Sequence, residues 1–400
     1  MPTLCPHSVG HVGRMYIDMK TAGGLTIQMK KYSRYLAAGA ASALLLSIVP
    51  VVRAAGTGTE PSAAVSSVSY DRRSYQDYLM EYADQERPDV EIELEGIAYT
   101  SFSGEAPQEM ELAGRKALSM SETCDVTWTF DVPSPGLYKL EVSYYPLPGK
   151  GIAIERGILI NGVLPYTECS AVNFDRIWTD IEEDGKETDA NGNDLRPVQV
   201  EAPDWQTVMI KGMSATVSQE LEFYFEQGQN TLTLQGVREP LAIARLRLYN
   251  PPAVQSYQAY IEQYAGQSTN VTPIVIQGED ATRKSSTVLY AQNDRSSPLN
   301  VPYHAYQIKL NTIGGENWRF PAQWIEWDFY VPETGMYKLA FRCRNDFNEG
   351  TTSHRALYID GELPFAELGA VPFSYKMDWQ SVVPGEEEPY LIYLEEETHT

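Results

Sequence analysis

The chain has 400 residues, of which 43% are apolar, with 26 Tyr and 7 Trp, so it can bury real hydrophobic cores and lacks the depleted composition of a disordered protein. Acidic residues outnumber basic ones by 54 to 31, which gives a formal net charge of −23. This balance argues against nucleic acid, anionic lipid and polyanionic substrates as partners and favours a neutral or weakly charged one.

The first predicted element is a secretory signal peptide over residues 29–54. Lys30 and Lys31 precede the apolar residues 36–52, and Ala54 stands directly before a predicted cleavage site. A retained membrane helix is the alternative, but a stretch broken by Gly and Pro is short for a span. Because no Cys follows the apolar stretch, the leader lacks a lipidation Cys. We therefore expect export to the cell exterior or surface.

Two similar segments each predict a short helix. "SYQDYLMEYA" begins at Ser74 and "SYQAYIEQYA" begins at Ser256, and both place Tyr and Leu or Ile at i, i+3, i+4 and i+7. Each helix is followed by a strand, "VEIELEG" from Val90 and "PIVIQGE" from Pro273. Short runs separated by Gly, Pro, Asn and Asp come next, which is typical of an all-β region.

An internal duplication organises the chain. "WTFDVPSPGLYKLEVSYY" begins at Trp128 and "WDFYVPETGMYKLAFRCR" begins at Trp327, 199 residues later (327 − 128 = 199), and this register holds from 128–174 to 327–373 with 18 identities in 47 positions. Chance does not explain this similarity, so we define repeat 1 as residues 74–250 and repeat 2 as residues 256–400.

The strands of the duplicated stretch alternate with a period of two. Trp327, Phe329 and Val331 share one face, and Trp128 stands in the equivalent place in repeat 1. Such alternation is typical of a half-buried antiparallel strand, so we expect both tryptophans to lie in the core. Two packed sheets in each repeat is the simplest architecture that buries these faces.

The second copy is shorter at its carboxyl end. "FYFEQGQNT" ending at Thr231 matches "IYLEEETHT" ending at Thr400, and repeat 1 then continues through two further strands to Asn250. We expect the second sandwich to be incomplete and the natural product to extend beyond Thr400, because a sandwich without its closing strands leaves an open sheet edge.

The strand order of "IVIQGEDA", "WDFYVPETGMYKLAFRCR" and "RALYIDGELPF" resembles carbohydrate-binding modules of the calcium-carrying jelly-roll type, which are related to galactose-binding-like β-sandwiches. The resemblance covers each repeat and implies two tandem jelly-roll sandwiches. The order of helix and sandwich behind a signal peptide is similar to the amino-terminal part of large extracellular solute-binding proteins of Gram-positive carbohydrate ABC transporters. That similarity implies a permease as partner through a solute-binding domain that this chain does not contain.

The resemblance also implies a possible structural calcium. In the resembling modules a Glu on the first strand helps to hold the ion, and the matching positions are Glu279 in "QGEDA" and Glu95 in "ELEGIA". The family's acidic partner on the last strand has no match, because Ala244 and Arg245 occupy its place in repeat 1. A second acidic stretch, Asp184 to Asp194, lacks the spacing of an EF-hand loop and is explained as a hairpin tip.

Sugar recognition needs flat apolar faces for C–H groups and a few charged or amide groups for hydroxyls. For any of the aromatic candidates, packing in the core is the competing interpretation. The candidates are Trp318, Asn317, Trp324, Arg342 and Trp379 in repeat 2 and Tyr145, Trp178 and Trp205 in repeat 1. We match Trp178 with Trp379, because both follow similar "AV" segments.

Other polar and sulfur-containing residues have a structural interpretation. Arg156 and Glu168 recur as Arg355 and Glu367, and we favour a structural ion pair in each repeat over a polar rim for a sugar. Cysteines beyond the leader are too few for a disulfide framework or a tetrahedral metal site, so we interpret them as buried small hydrophobes. They are Cys124, Cys169 and Cys343.

The sequence favours a binding protein over an enzyme, because no motif around Ser or Cys provides a nucleophile and base and nothing nominates a carboxylate pair. We expect the amino-terminal part of an extracellular solute-binding protein. The alternatives are a structural or adhesive surface module without a sugar site and an accessory module of a glycoside hydrolase. The predicted regions are a leader (1–54), a polar linker and helix (55–87), a first sandwich (88–250), a helix and linker (251–270) and a second sandwich (271–400).

Overall fold

The computed structural model describes residues 73–181, 186–214, 217–347 and 349–400, together with the backbone of residues 15–18. The predicted signal peptide, residues 29–54, lies outside this part of the chain. Of the helices that the structure describes, none is long and apolar enough to span a membrane.

The predicted all-β class with one short helix before each sandwich is confirmed. Repeat 1 begins with the helix α1 (Tyr75–Glu81), and the short strand β1 (Met15–Asp18) precedes it in the chain. The strands of repeat 1 are β2 (Ile92–Glu95), β3 (Ser101–Gly104), β4 (Gln108–Leu112), β5 (Arg115–Met120), β6 (Cys124–Val132), β7 (Gly136–Pro146), β8 (Ile154–Ile160), β9 (Val172–Phe174), β10 (Trp178–Ile181), β11 (Val198–Glu201), β12 (Gln206–Met209), β13 (Glu222–Phe225), β14 (Gly228–Arg238) and β15 (Leu241–Tyr249).

Repeat 2 begins with the helix α2 (Tyr257–Gln263). Its strands are β16 (Arg283–Lys284), β17 (Ala291–Gln292), β18 (Thr312–Gly315), β19 (Ile325–Glu326), β20 (Phe329–Tyr330), β21 (Gly335–Lys338), β22 (Phe341–Asn345), β23 (Thr352–Arg355), β24 (Val371–Ser374), β25 (Lys376–Val382), β26 (Leu391–Leu394) and β27 (Thr398–His399).

Repeat 1 is a complete antiparallel sandwich. One sheet has the order β12-β7-β15-β5-β4, with β13 also paired to β7 and β2 to β15, and the facing sheet has the order β3-β6-β14-β8-β9. Because β14 and β15 follow each other directly in the chain, one hairpin supplies a middle strand to each sheet. The predicted inward face of β6 is buried, with Trp128 and Val126 almost wholly removed from solvent.

Repeat 2 repeats this pattern with breaks. Strands β21 and β22 together correspond to β7, since Gly335 pairs with Leu394 as Gly136 pairs with Phe225. Strand β27 corresponds to the start of β14, because His399 pairs with Phe329 as Asn230 pairs with Phe130. In the part of repeat 2 that the structure describes, nothing corresponds to the rest of the β14–β15 hairpin.

The core of repeat 2 is consequently less buried at matching positions. In each matched pair the repeat 1 residue is buried and the repeat 2 residue is only half-buried. The side chains that cover the repeat 1 residues belong to β14 and β15. The pairs are Trp128 and Trp327, Phe130 and Phe329, Leu140 and Leu339, Ile158 and Leu357, and Ile160 and Ile359.

Each helix covers a sheet edge through tyrosine hydroxyl groups. In repeat 1 the backbone N–H groups of Glu222 and Tyr224 donate to the hydroxyls of Tyr75 (3.1 Å) and Tyr78 (2.6 Å). Leu391 and Tyr393 donate in the same way to Tyr257 (3.0 Å) and Tyr260 (2.9 Å) in repeat 2. The recurring tyrosines therefore accept hydrogen bonds from backbone N–H groups of the edge strands β13 and β26, which would otherwise lack a partner.

An insertion in repeat 1 joins the two repeats. Its hairpin β10–β11 adds to the edge of a repeat 2 sheet, giving the order β11-β10-β16-β19. At this junction the buried Lys284 ammonium lies 2.5 Å from the Asp180 carboxylate. Lys284 corresponds to Phe102 on β3 of repeat 1, a side chain that is 47% exposed. The buried charge pair is therefore specific to the contact between the repeats.

The predicted ion pair between Arg156 and Glu168 is wrong. Arg156 is fully buried and donates to backbone carbonyls, among them those of Arg238 (3.0 Å) and Glu239 (2.8 Å) in the β14–β15 turn. Glu168 instead accepts from the backbone N–H of Tyr75 at the first turn of α1 (3.0 Å). A carboxylate at a helix N-terminus accepts from a free backbone N–H group and interacts favourably with the helix dipole. These separate roles explain why Arg156 and Glu168 both recur in repeat 2.

We expect Arg156→Gln to lower the free energy of unfolding of repeat 1 by about 3 kcal/mol or more, because it leaves several buried carbonyls without a donor. Arg355→Gln is the matched control in repeat 2, where the guanidinium donates only to His354 and Trp318 carbonyls, and we expect a loss of about 1 kcal/mol. Urea unfolding followed by hydrogen exchange in each repeat measures both. Equal losses would contradict the role of Arg156 in holding the hairpin.

Candidate functional site

The structure brings one tryptophan of each repeat to the same place. Gln206 on β12 pairs with Tyr144, and Gln380 on β25 pairs with Cys343, which is the same position in the 199-residue register. Trp205 and Trp379 therefore correspond, and both lie in a "DWQ" tripeptide. Our match of Trp178 with Trp379 is wrong, because an insertion changes the offset from 199 to 174 (379 − 205 = 174).

The Trp379 cluster lies on the outer face of β22, away from the core. The guanidinium carbons of Arg342 and Arg344 each lie 5.5 Å from the ring centre of the half-buried Trp379. Its indole N–H faces Ser296 Oγ (3.1 Å) and Asp294 Oδ1 (3.3 Å). A cationic pair, a carboxylate and a hydroxyl thus surround one aromatic ring.

Side chains from residues 293–300 fix this cluster. Arg342 donates to Asn300 Oδ1 (3.1 Å) and Ser297 Oγ (2.9 Å), and Arg344 forms an ion pair with Asp294 at 3.1 Å. Because these groups are held by several partners, the long side chains of the cluster are already ordered.

The Trp205 cluster has the same place on β7 and different neighbours. Tyr145 meets the Trp205 ring edge-to-face at 5.5 Å, and the exposed Arg115 guanidinium carbon lies 5.4 Å from the ring centre. The indole N–H donates to the Leu112 carbonyl (3.1 Å). Both repeats therefore carry a tryptophan with a guanidinium over its ring on the outer face of the same strand.

Sequence reasoning missed Arg344, Asp294, Ser296 and Arg115. Two signals were present in the sequence. Arg344 follows Arg342 by two residues and so shares its strand face, and the repeated "DWQ" identifies Trp205 with Trp379. Asp294, Ser296 and Arg115 come from other strands and loops, so only the fold brings them to the ring.

The remaining predicted residues lie elsewhere. Trp318 is buried in the repeat 2 core and donates to the Gln323 carbonyl (3.2 Å), and Asn317 donates to the Tyr290 hydroxyl (3.3 Å). Trp178 lies on β10 beside Lys284 of repeat 2. These positions favour packing roles and separate the three residues from both tryptophan clusters.

Trp324 connects the two repeats. Its indole N–H donates to Asp175 Oδ2 at 3.0 Å, across the contact made by the insertion. The nearby Thr179 hydroxyl donates to the Thr282 carbonyl (3.0 Å). A repeat 1 side chain, Asp175, thus already uses the polar end of Trp324.

The predicted calcium positions do not come together. The "QGEDA" Glu279 is buried and lies 3.6 Å from the Lys186 ammonium, whereas Glu95 is exposed on β2. Trp128 and Trp327 donate to the carbonyls of Gly96 and Gly278 (3.0 Å each), so Glu279 corresponds to the residue after Gly96 and not to Glu95.

The structure therefore does not support a calcium site built from these two residues. Within the ranges that the structure describes, no three His, Cys, Asp or Glu side chains gather as metal ligands, and Ca²⁺ needs six or more oxygen ligands. A lysine ammonium also compensates the Glu279 charge.

The acidic stretch from Asp184 to Asp194 is a hairpin tip in the part that is described, as we expected. Asp189 accepts from the backbone N–H groups of Asn191 (2.8 Å) and Asn193 (2.9 Å). Asp194 pairs with Lys309 of repeat 2 at 2.7 Å. The stretch therefore helps to hold the insertion against repeat 2.

The three cysteines that the structure describes, Cys124, Cys169 and Cys343, are buried and free, as predicted. Burial raises the pKa of Cys343 to about 12, so this thiol stays protonated at neutral pH. Their role is packing.

The Asp175 carboxyl, which accepts from Trp324, is the unusual titrating group of the contact between repeats. Burial raises its pKa from 3.8 to about 6, and the indole hydrogen bond opposes that rise. Because the folded state binds this proton more tightly than the unfolded state, the group's contribution to stability is largest below the ordinary pKa. It is lost as the pH rises through about 6.

Asp175→Asn keeps an acceptor for Trp324 without the charge. We expect its effect on the free energy of unfolding to be more favourable at about pH 7.5 than at about pH 4, by about 1–2 kcal/mol. Urea unfolding at both pH values measures the difference. Asp204→Asn, at an exposed carboxylate, is the control for the substitution itself. A pH-independent effect of Asp175→Asn would contradict the raised pKa.

No protein-family model and no curated protein matches the chain. Similar solved structures include a GH26-CBM35 β-(1,4)-mannanase from Podospora anserina (12% identity, TM-score 0.24, covering 45% of this chain and 36% of the mannanase). They also include a family 35 carbohydrate binding module from Clostridium thermocellum (12% identity, TM-score 0.24, covering 40% of this chain and 99% of the module).

The C-terminal CBM6 of a marine laminarinase from Zobellia galactanivorans is similar at 13% identity and a TM-score of 0.22, covering 40% of this chain and 100% of the module. This chain thus spans about a third of the mannanase. Similarities this weak carry no conclusion about ligand or activity.

Proposed function

We propose that the chain is a non-catalytic carbohydrate-binding region whose sugar contacts lie at the Trp205 and Trp379 clusters. One observation carries the proposal: both repeats place the tryptophan of a "DWQ" tripeptide, half-exposed and with a guanidinium over its ring, on the outer face of the same strand. The main core of each repeat lies on the opposite face of β7 and β22, and Trp205 also packs against the small apolar cluster of Ala117, Leu147 and Ala242 on its own face.

The groups of each cluster suit a neutral sugar. A half-exposed indole offers a flat apolar face to C–H groups, and guanidinium, carboxylate and hydroxyl groups can bind sugar hydroxyls at its edge. Neutral ligands are also favoured by the net charge of −23, which repels polyanions. Because the reacting groups of a glycosidase are not nominated by the sequence, we propose binding without catalysis.

The two clusters should differ in preference. The Trp205 cluster adds Tyr145 and the single exposed Arg115, which makes it more aromatic. The Trp379 cluster adds two arginines and Asp294, which makes it more polar. We therefore infer that the repeats bind different sugars, or different parts of one oligosaccharide.

We further propose that the chain is exported and belongs to the amino-terminal part of an extracellular solute-binding protein of a carbohydrate ABC transporter. The leader pattern of residues 29–54 supports export, and the order of helix and sandwich supports the transporter context. A permease would then be a partner of the whole protein. Amino-terminal sequencing of the secreted protein tests the first part, since export predicts a new terminus at Ala55.

A spacer that only orients another domain is the second candidate. The contact between the repeats favours it, because an added hairpin, the Lys284–Asp180 pair and the Lys309–Asp194 pair fix one repeat on the other. Rigid spacing and sugar binding are compatible, so the discriminating measurement is sugar binding itself.

We expect the full chain to bind neutral glycans on an array. Trp205→Ala and Trp379→Ala should each weaken binding of the best glycan by about tenfold or more, because each removes an aromatic face worth about 1.4 kcal/mol. Isothermal titration with that glycan measures the loss.

Tyr306→Ala is the matched control, because Tyr306 is 89% exposed and lies outside both clusters. It should leave the affinity unchanged. If no neutral glycan is bound, or if the control weakens binding as much as the tryptophan variants, the clusters are not sugar sites and the spacer is favoured.

A further inference from the structure

The turn that follows β8 in repeat 1 has a close match in repeat 2. Asn161 and Asp360 occupy the same position in the 199-residue register (360 − 161 = 199), with φ angles of 51° and 52°. The Thr231 backbone N–H donates to Asn161 Oδ1, and the Thr400 backbone N–H donates to Asp360 Oδ1, both at 2.8 Å. In each repeat this side chain therefore ties the turn to a distant segment of the chain.

In repeat 1 two neutral amides complete the contact. Asn161 Nδ2 donates to Asn230 Oδ1 (2.9 Å), and Asn230 Nδ2 donates to the Glu226 carbonyl (2.8 Å). A side-chain amide carries its donors and its acceptor in one protonation state. The contact in repeat 1 is therefore the same at every pH near neutrality.

In repeat 2 an acid and a histidine make the matching contacts. His399 pairs with Phe329 as Asn230 pairs with Phe130, and the His399 side chain is 5% exposed. Its Nδ1 atom lies 2.7 Å from Asp360 Oδ2, and its Nε2 atom lies 3.1 Å from the Glu395 carbonyl oxygen. Ionisable groups thus replace both amides.

Both ring nitrogens of His399 face an acceptor. An ionised carboxylate and a backbone carbonyl accept hydrogen bonds and do not donate them. The neutral ring has one N–H group and one lone pair, so it makes only one of the two hydrogen bonds, whereas the imidazolium makes both. The arrangement is therefore complete only when His399 is protonated.

The groups around His399 also favour the imidazolium. Burial alone would lower the pKa of His399, but hydrogen bonds to Asp360 and to the Glu395 carbonyl, with the charges of Asp360 and Glu397, outweigh it and raise the pKa above 6.5. Because the folded state binds this proton more tightly, the stabilisation is full below the ordinary pKa. It is lost as the pH rises through the higher pKa of the folded state.

Two further charged groups lie beside this contact. Asp328, directly before β20, accepts from the Thr400 hydroxyl (2.9 Å), and Arg283 on β16 donates to the same hydroxyl (3.4 Å). They form an ion pair with each other at 2.6 Å, so their opposite charges largely offset at His399.

We propose that Asp360 and His399 form a pH-sensitive lock in repeat 2, which holds strand β27 to the turn at residues 359–362 when the ring is protonated and loosens when it is neutral. We call this pair the Asp360–His399 lock. Its residues lie outside both tryptophan clusters, so it does not depend on sugar binding. One repeat thus responds to pH at a place where its twin does not.

The first test measures the titration of His399 in the full chain by NMR. The His399 imidazole resonance is the one that His399→Asn removes. We expect its midpoint to lie above 6.5, and Asp360→Asn should lower the midpoint, because it removes the charged acceptor.

The second test measures hydrogen exchange at about pH 5.5 and about pH 8.5, corrected for the intrinsic exchange rate. Protection of residues 359–362 and 398–400 should fall by about threefold or more, because each unit of difference in pKa changes the opening equilibrium by about tenfold. Residues 160–163 and 229–231 of repeat 1 should keep their protection. Asp175→Asn is present throughout this test, because the Asp175 carboxyl titrates near the same range.

Variants that exchange the two pairs are the matched controls. Asp360→Asn with His399→Asn gives repeat 2 the amide pair and should abolish the pH dependence there. Asn161→Asp with Asn230→His gives repeat 1 the acid and the histidine and should create a pH dependence. If the repeat 1 variant does not fold, the NMR titration still decides, since it uses the unchanged chain.

Three results would overturn the proposal. They are a His399 midpoint at or below about 6.5, equal protection of residues 359–362 and 398–400 at both pH values, and a pH dependence that survives the amide pair in repeat 2. The last result would assign the pH response to another group.

Discussion

The β14–β15 hairpin is the element on which the architecture of repeat 1 depends, because it supplies a middle strand to both sheets at once. Removing one edge strand from a sandwich exposes one row of backbone groups, whereas removing this hairpin exposes the apolar faces of both sheets. The matched residues Trp128 and Trp327 show the effect: the first is buried and the second half-buried, although the same backbone carbonyl contact holds both indoles. Arg156 fixes the hairpin through its turn carbonyls and so connects the two sheets at their common strand pair.

Much of this architecture could be predicted from the sequence, because the first strand of the duplicated stretch, β6, alternates with a period of two. The alternation at Val126, Trp128 and Phe130 identifies the core face, and the tyrosine spacing identifies both helices. What could not be predicted depends on contacts between distant residues. Arg156 is in phase with inward residues, which suggested an ion pair, but its partners are backbone carbonyls, two of them in a turn more than 80 residues away. Local spacing carries no information about such a partner.

The candidate site was predicted less well for a related reason. Tryptophan is large and apolar, so a sequence does not distinguish a ring in the core, such as Trp318, from a half-exposed ring, such as Trp379. The insertion in repeat 1 also breaks the 199-residue register between the shared strand and "DWQ", which concealed the match of Trp205 with Trp379. That insertion has its own role, since its hairpin extends a sheet of repeat 2. The two repeats therefore diverge where they touch each other and around the tryptophan clusters, and they agree where they build a core.

The proposed sugar site of repeat 2 shares one strand with the core. Along β22, Phe341 and Cys343 point to the core, and Arg342 and Arg344 point to the Trp379 cluster on the other face. One edge of this strand pairs with β25, which contains Trp379, and the opposite edge pairs with β1. Pairing along both edges restricts the backbone that carries both arginines, and Asn300, Ser297 and Asp294 hold their side chains. A sugar at the Trp379 cluster would therefore bind with a small loss of conformational entropy in the protein.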